Sequence, residues 1–174
     1  LMGNLVGNAD AMLNRRAKAA AAGADPIVFP EMQLIGYPPE DLVLKPALIA
    51  RAAEQMERLA KATADGGPAM LVGSVFRDGD GLYNGIPLLD SGAIAAVRYK
   101  HELPNYGTFD EKRLFTAGPL PAPVEFRGVK IGLPICEDLW FDRVSGALAA
   151  AGAEMLICIN GSPYEIDKDD HRME

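Results

Sequence analysis

The stretch Ala20-Ala21-Ala22-Gly23-Ala24-Asp25-Pro26-Ile27-Val28-Phe29-Pro30-Glu31 carries the reading of the fold. An Ala-rich helix ends at a glycine stop, an acid follows, and a short apolar run leads into Pro-Glu. The run does not alternate with polar residues, so it suits a strand buried on both faces, with helices packed outside the sheet. The same order returns at Ala149-Ala150-Ala151-Gly152-Ala153-Glu154 before Met155-Leu156-Ile157. This is recurring helix-to-strand geometry, too short to be a duplication.

Working outward, a helix is expected from about Asn8 to Ala22, with Met12, Leu13 and Ala17 at helical spacing. A second is expected over Pro46–Ala64, with proline in its first turn and the stripe Leu48, Ala52, Met56, Leu59, Ala60. Met70–Phe76 reads as one strand. Tyr83–Leu89 and Ile94–Tyr99 read as a hairpin turning at Asp90-Ser91-Gly92. Val129–Ile135 and Met155–Ile159 read as strands and Phe141–Ala151 as a helix. Gly36–Leu42, with two prolines, reads as a turn-rich loop without a regular element. Lys100–Pro123, with four prolines and Tyr106, Phe109 and Phe115 to pack, reads as an ordered functional loop. Hairpin strands among helix-connected ones make the expected class α/β with mixed sheets.

The chain has 174 residues, enough for one domain with a substantial core. Lys plus Arg number 17 against 24 acids, a formal charge of −7, which argues against a nucleic-acid partner because phosphate binding wants a basic face. No apolar run approaches the ~20 residues of a bilayer span, and no signal-peptide pattern opens the chain, so no membrane is expected. Two cysteines make no disulfide framework, and a reducing, cytoplasmic setting is the default expectation. Both ends read as cut from a longer polypeptide: Leu1-Met2-Gly3-Asn4 starts in a loop, and His171-Arg172-Met173-Glu174 stops where another element should begin.

Chemistry gathers at strand ends, where loops of α/β sheets form ligand crevices. Leu133-Pro134-Ile135-Cys136-Glu137-Asp138-Leu139-Trp140 delivers a thiol from an apolar strand into two acids and an aromatic. Glu31 ends another strand, Lys100 closes the hairpin, and Ser162 follows Asn160-Gly161. A cysteine, a carboxylate and an ammonium form a workable amide-cleaving set. The thiolate attacks, the carboxylate takes the proton and later activates water, and the ammonium steadies the oxyanion, helped by the backbone N–H after the nucleophile. The two acids after Cys136 would raise its pKa unless a cation offsets them. Taken singly, Glu31 and Lys100 read as solvated charges, and Cys158, between Ile157 and Ile159, as a small buried hydrophobe. His101 and His171 lack a G-x-S-x-G context, and no Cys/His cluster has metal-ligand spacing, so no metal is expected.

Phe29-Pro30-Glu31, Tyr99-Lys100 before Leu103-Pro104, and Ile135–Trp140 resemble the Glu, Lys and Cys blocks of the nitrilase superfamily of carbon-nitrogen hydrolases. Gly36–Leu42, Leu103–Glu111 and Asn160–Tyr164 are similar, more narrowly, to the glutaminase domain of glutamine-dependent NAD synthetases. The resemblance covers nearly all of the chain. It implies a four-layer α-β-β-α sandwich, incomplete here at both ends, with residues 1–174 a partial glutaminase domain. It implies Glu31 as general base, Cys136 as nucleophile and Lys100 as support of the tetrahedral intermediate. Tyr106, Ser162 and Lys168 would contact L-glutamine, with Glu111 as a second, supporting glutamate and Glu137 beside the nucleophile in support. The glutaminase step would need no cofactor. Its ammonia would pass to a synthetase domain of the same polypeptide that amidates nicotinic acid adenine dinucleotide with ATP and Mg²⁺, in a homo-oligomer. No Ser-Gly-Gly-x-Asp-Ser motif of such a synthetase domain occurs in these residues.

Two other readings stand beside it: a stand-alone nitrilase-type amidase acting on another amide or carbamoyl substrate, and a non-catalytic scaffold domain. A redox pair of Cys136 and Cys158 is a weaker fourth, since the two lie on separate expected strands.

Overall fold

Asn4 turns the chain into its first helix: its side-chain oxygen accepts from the Gly7 N–H at 3.1 Å, satisfying one of the helix's free donors. The computed structural model describes residues 1–162. In chain order the helices are α1 Leu5–Ala21, α2 Pro46–Ala62, α3 Glu111–Leu114 and α4 Asp142–Ala150. The strands are β1 Pro26–Val28, β2 Ala69–Leu71, β3 Ser74–Asp78, β4 Gly81–Asp90, β5 Ala93–Tyr99, β6 Val124–Phe126, β7 Val129–Gly132 and β8 Met155–Leu156.

Two mixed sheets form. In the first, β1 and β2 run parallel, β4 pairs antiparallel with both β2 and β3, and β5 takes the other edge of β4. In the second, β6 and β7 form an antiparallel hairpin and β8 joins β7 in parallel, with Ile135 bridging Ile159 beyond it. Side-chain alternation then sorts the layers. Met70, Val72 and Leu89 pack with Leu5, Ala9 and Met12 of α1 and with Ile49, Ala52, Met56 and Leu59 of α2. Ala69, Leu71, Ile86 and Leu88 point the other way, onto Val124, Phe126, Ile131, Leu133 and Ile135. Helix α4 covers the outer face of the second sheet, where a Cβ at Gly132 would meet Leu148 Cδ1 at 3.0 Å. The architecture is the nitrilase-like four-layer α-β-β-α sandwich. A strand with both faces buried must be apolar throughout, as Ala69-Met70-Leu71-Val72 is.

Five expectations need correction. The strands after the two Ala-rich helices are not buried on both faces: Val28 in β1 is 40% exposed, and Met155 and Leu156 in β8 are 53% and 43% exposed, because among the described residues each strand lies at an edge of its sheet. Met70–Phe76 is not one strand but β2 and β3, which share one edge of β4 and break at Val72-Gly73. The break has a local cause: Gly73 lies against the turn after β1, so close that a Cβ there would sit 2.5 Å from Pro30 O and Met32 N. Strand β6 was not expected, because three closely spaced prolines precede it; its turn, Arg127-Gly128 with φ of 50° and 79°, was the missed hairpin signal. The loop after Gly36 tightens into a 3₁₀ turn over Glu40–Leu44. Within the long 100–123 stretch, Glu111–Leu114 makes one helical turn.

Candidate active site

Glu31 leaves β1 through Pro30 and is followed by Met32 in the left-handed region, φ 53°, fully buried. Lys100 directly follows β5, its N–H donating to the Asn84 carbonyl at 2.8 Å. Glu111 opens α3 with its N–H on Pro104 O at 3.1 Å. Cys136 follows β7 on a 3₁₀ turn, Cys136–Trp140, with φ 46° and its N–H on Ile159 O at 2.9 Å. A non-glycine residue in that backbone region carries strain that the surrounding fold must hold. These strand ends bring Glu31, Lys100, Glu111 and Cys136 to one place.

The centre of the site is a buried ion triad. Lys100 Nζ donates to Glu31 Oε1 at 2.8 Å and to Glu111 Oε1 at 2.9 Å, and all three residues are at most 5% exposed. Asn84 Nδ2 also donates to Glu31 Oε1, at 2.7 Å, and the Gly161 N–H donates to Glu31 Oε2 at 2.8 Å. Each Glu31 oxygen is thus held, so the carboxylate is fixed in one orientation. Glycine at 161 allows this approach: a Cβ there would meet Tyr37 Cγ at 3.0 Å and Glu31 Oε2 at 3.1 Å.

Burial pulls the Lys100 ammonium down, but the Glu31 and Glu111 carboxylates overcome it, and its pKa ends well above the ordinary value. Burial pushes the Glu111 carboxyl up to about 7, with Lys100 opposing and Glu31 adding. Burial likewise raises the Cys136 thiol, Glu31 raises it further, and Lys100 pulls it back. The thiol therefore rests protonated near neutral pH and needs a base to become a nucleophile. Its hydrogen-bond partner is Ser162 Oγ at 3.5 Å.

Beside this centre the Tyr106 hydroxyl donates to the Glu137 carboxylate, 3.0 Å from Oε1 and 2.9 Å from Oε2. Burial and that bond push the Tyr106 phenol up to about 12, so it stays a donor. Tyr106 and Glu137 both line a cavity of about 550 Å³, together with Leu103, Phe115, Phe141 and Arg143 among others. None of Glu31, Lys100 and Cys136 lines it.

Of the residues expected from sequence, Glu31, Lys100, Glu111, Cys136 and Ser162 converge, and Tyr106 with Glu137 stands at their side. Lys168 lies outside the described residues. Three contributors were given no role in the site from the sequence: Asn84, Tyr37 and the Gly161 N–H. Asn84 had a signal, an amide side chain in the middle of an otherwise apolar strand. Tyr37 had none. Its phenol is raised by burial first and then by Glu31 and Glu111, which sets it among the site's charges.

A strained cysteine beside a buried carboxylate and ammonium is the apparatus of a cysteine-dependent amide hydrolase. The sequence profile of the carbon-nitrogen hydrolases matches residues 3–171, and the chain belongs to that family. It is 44% identical over 173 residues to a glutamine-dependent NAD(+) synthetase of Rhodobacter capsulatus, covering 99% of this chain and 31% of the relative. A second, from Acinetobacter baylyi, is 38% identical over 174 residues, covering 99% of this chain and 32% of the relative. The chain thus spans about a third of the length of these curated relatives. The structure of a glutamine-dependent NAD+ synthetase from Acinetobacter baumannii superposes with a TM-score of 0.92 at 37% identity, over 98% of this chain and 32% of that one. An amidase from Nesterenkonia sp. AN1, 22% identical, shares the fold with a TM-score of 0.80 over 97% of this chain and 64% of that one.

Proposed function

We propose that the chain is the glutaminase portion of a glutamine-dependent NAD+ synthetase. The observation that carries this is Cys136 set beside the buried Glu31–Lys100–Glu111 triad, in a chain similar over its whole length to such synthetases. Glu31 takes the Cys136 proton, and the thiolate attacks the side-chain amide carbon of glutamine. The lysine ammonium has three N–H groups, of which, among the described residues, two are engaged by Glu31 and Glu111, so the third can meet the developing oxyanion. Collapse of the tetrahedral intermediate breaks the C–N bond, Glu31 returns the proton to the leaving ammonia, and a γ-glutamyl thioester remains on Cys136. Glu31 then activates the water that hydrolyses it. Every group this requires is a side chain or backbone N–H, so the step calls for no cofactor.

Tyr106 and Ser162 contact the glutamine in this reading, with Lys168 a further contact and Glu111 and Glu137 in support. The ammonia passes to a synthetase domain of the same polypeptide, where ATP and Mg²⁺ drive amidation of nicotinic acid adenine dinucleotide in a cytoplasmic homo-oligomer. In the full-length polypeptide, Cys136→Ala abolishes glutamine-dependent NAD formation and spares the ammonia-dependent reaction. Equal loss of both activities would show that Cys136 does not have this role. Mass spectrometry after diazo-oxo-norleucine places an adduct on Cys136; its absence would favour a scaffold without chemistry. The shared fold with an amidase supports a second reading, hydrolysis of another amide, in which ammonia release follows a different substrate.

A further inference from the structure

We infer that Asp138 is a positioning residue that ties the nucleophile turn to the strand end carrying Lys100. This deepens the proposed cysteine chemistry and rests on it. Asp138 is 1% exposed and touches no reacting group. Its Oδ2 accepts from the Ile135 N–H at 2.9 Å, the amide just before Cys136. Its Oδ1 accepts from the N–H of Glu102 at 2.8 Å and of His101 at 3.1 Å, the two amides just after Lys100. One carboxylate thus spans the two segments that must keep thiol and ammonium in register.

Among the described residues, the other polar links between these segments run from side chain to side chain. Arg143 reaches His101 and Glu102, and Tyr106, 58% exposed, reaches Glu137. Neither fixes the backbone. Strain at Cys136 makes the tie matter, because a residue with φ 46° relaxes as soon as its neighbours allow.

A carboxylate is required because all three partners are donors. It has only acceptor sites, enough for three N–H groups. Asparagine at 138 has the same shape but turns an NH₂ toward one of those amides, leaving two buried donors face to face. Burial raises the Asp138 carboxyl and the three N–H groups oppose it. Its charge is spent on those amides, so the acid two residues from the thiol serves geometry.

The test compares wild type and Asp138→Asn in the full-length polypeptide by alkylation of Cys136 with iodoacetamide at pH 7.5, rates taken per folded molecule from the labelling amplitude. Positioning predicts at least a tenfold slower alkylation, because the thiol drifts from Glu31, its proton acceptor. It also predicts a fall in kcat for glutamine of about a hundredfold, the scale expected for an ~1 Å misplacement, with KM within threefold. An Asp138 acting through its charge would instead give faster alkylation when neutralised. One serving stability alone would leave the folded fraction reacting at the wild-type rate. Either result overturns the inference. If Asp138→Asn does not accumulate, Asp138→Ser, which keeps one acceptor, is read the same way. A wild type that alkylates normally but ignores glutamine would sink the glutaminase reading and leave the Asp138 comparison standing.

Discussion

Lys100 is fully buried between two carboxylates, so its removal costs more than two ion pairs. A Lys100→Met variant leaves Glu31 and Glu111 without their shared cation in a site closed to water, and uncompensated buried charge is the expensive outcome. We expect a loss of ~3–5 kcal/mol in urea unfolding, the range for breaking one side of a buried pair, together with loss of amide hydrolysis. An unfolding midpoint within experimental error of wild type would mean that water reaches the triad. The residue types were readable in the sequence: a thiol, an acid and an amine at strand ends stood out among apolar runs. Their engagement was not. Nothing in Tyr83-Asn84-Gly85 says that the amide of Asn84 ends 2.7 Å from Glu31, because that contact joins residues 53 apart in the chain.

At the scale of elements, the break between β2 and β3 aims Glu31. The glycine at 73 lets the strand cross the Pro30–Met32 turn at backbone contact, and a methyl there meets three main-chain atoms between 2.5 and 2.7 Å away. Main chain cannot swing aside as a flexible side chain can. Gly73→Ala should therefore cost ~1–3 kcal/mol by overpacking and lower amide hydrolysis at least tenfold by shifting Glu31. Urea unfolding and steady-state rates on the same preparation check this, and a variant with wild-type values for both would remove the crossing from the account. Long periodic segments such as α1 and α2 were legible to within a few residues, since their burial follows from a local repeat. The short strands were less so. Three residues of β6 show too little periodicity to be seen, and the kink at Gly73 comes from a neighbour that packs there only in the folded state.

Over the whole molecule, the closed site links stability to pH. Glu111 in the fold holds its proton up to about 7, against an ordinary value near 4.3 in an unfolded chain. Between those values the folded state binds more protons than the unfolded one, so this group's contribution falls as pH rises through the window and is flat above it. Replacing Glu111 by Gln removes the titration. The stability of Glu111→Gln relative to wild type should therefore rise between pH 5 and pH 7.5, by at most a few kcal/mol. Urea midpoints of both proteins at the two pH values measure it, and a pH-independent difference would assign the titration elsewhere.

The sequence by itself determined the α/β class, the mixed sheets and the identities of the thiol, acid and amine, because apolar periodicity and turn chemistry are local properties of the chain. Packing of two sheets face to face decided the rest. It brought strand ends from far apart in sequence to one point, buried three charges against each other with Asn84 and the Gly161 N–H completing the Glu31 carboxylate, and turned Asp138 from an acid that should disturb a thiol into one occupied by three backbone amides.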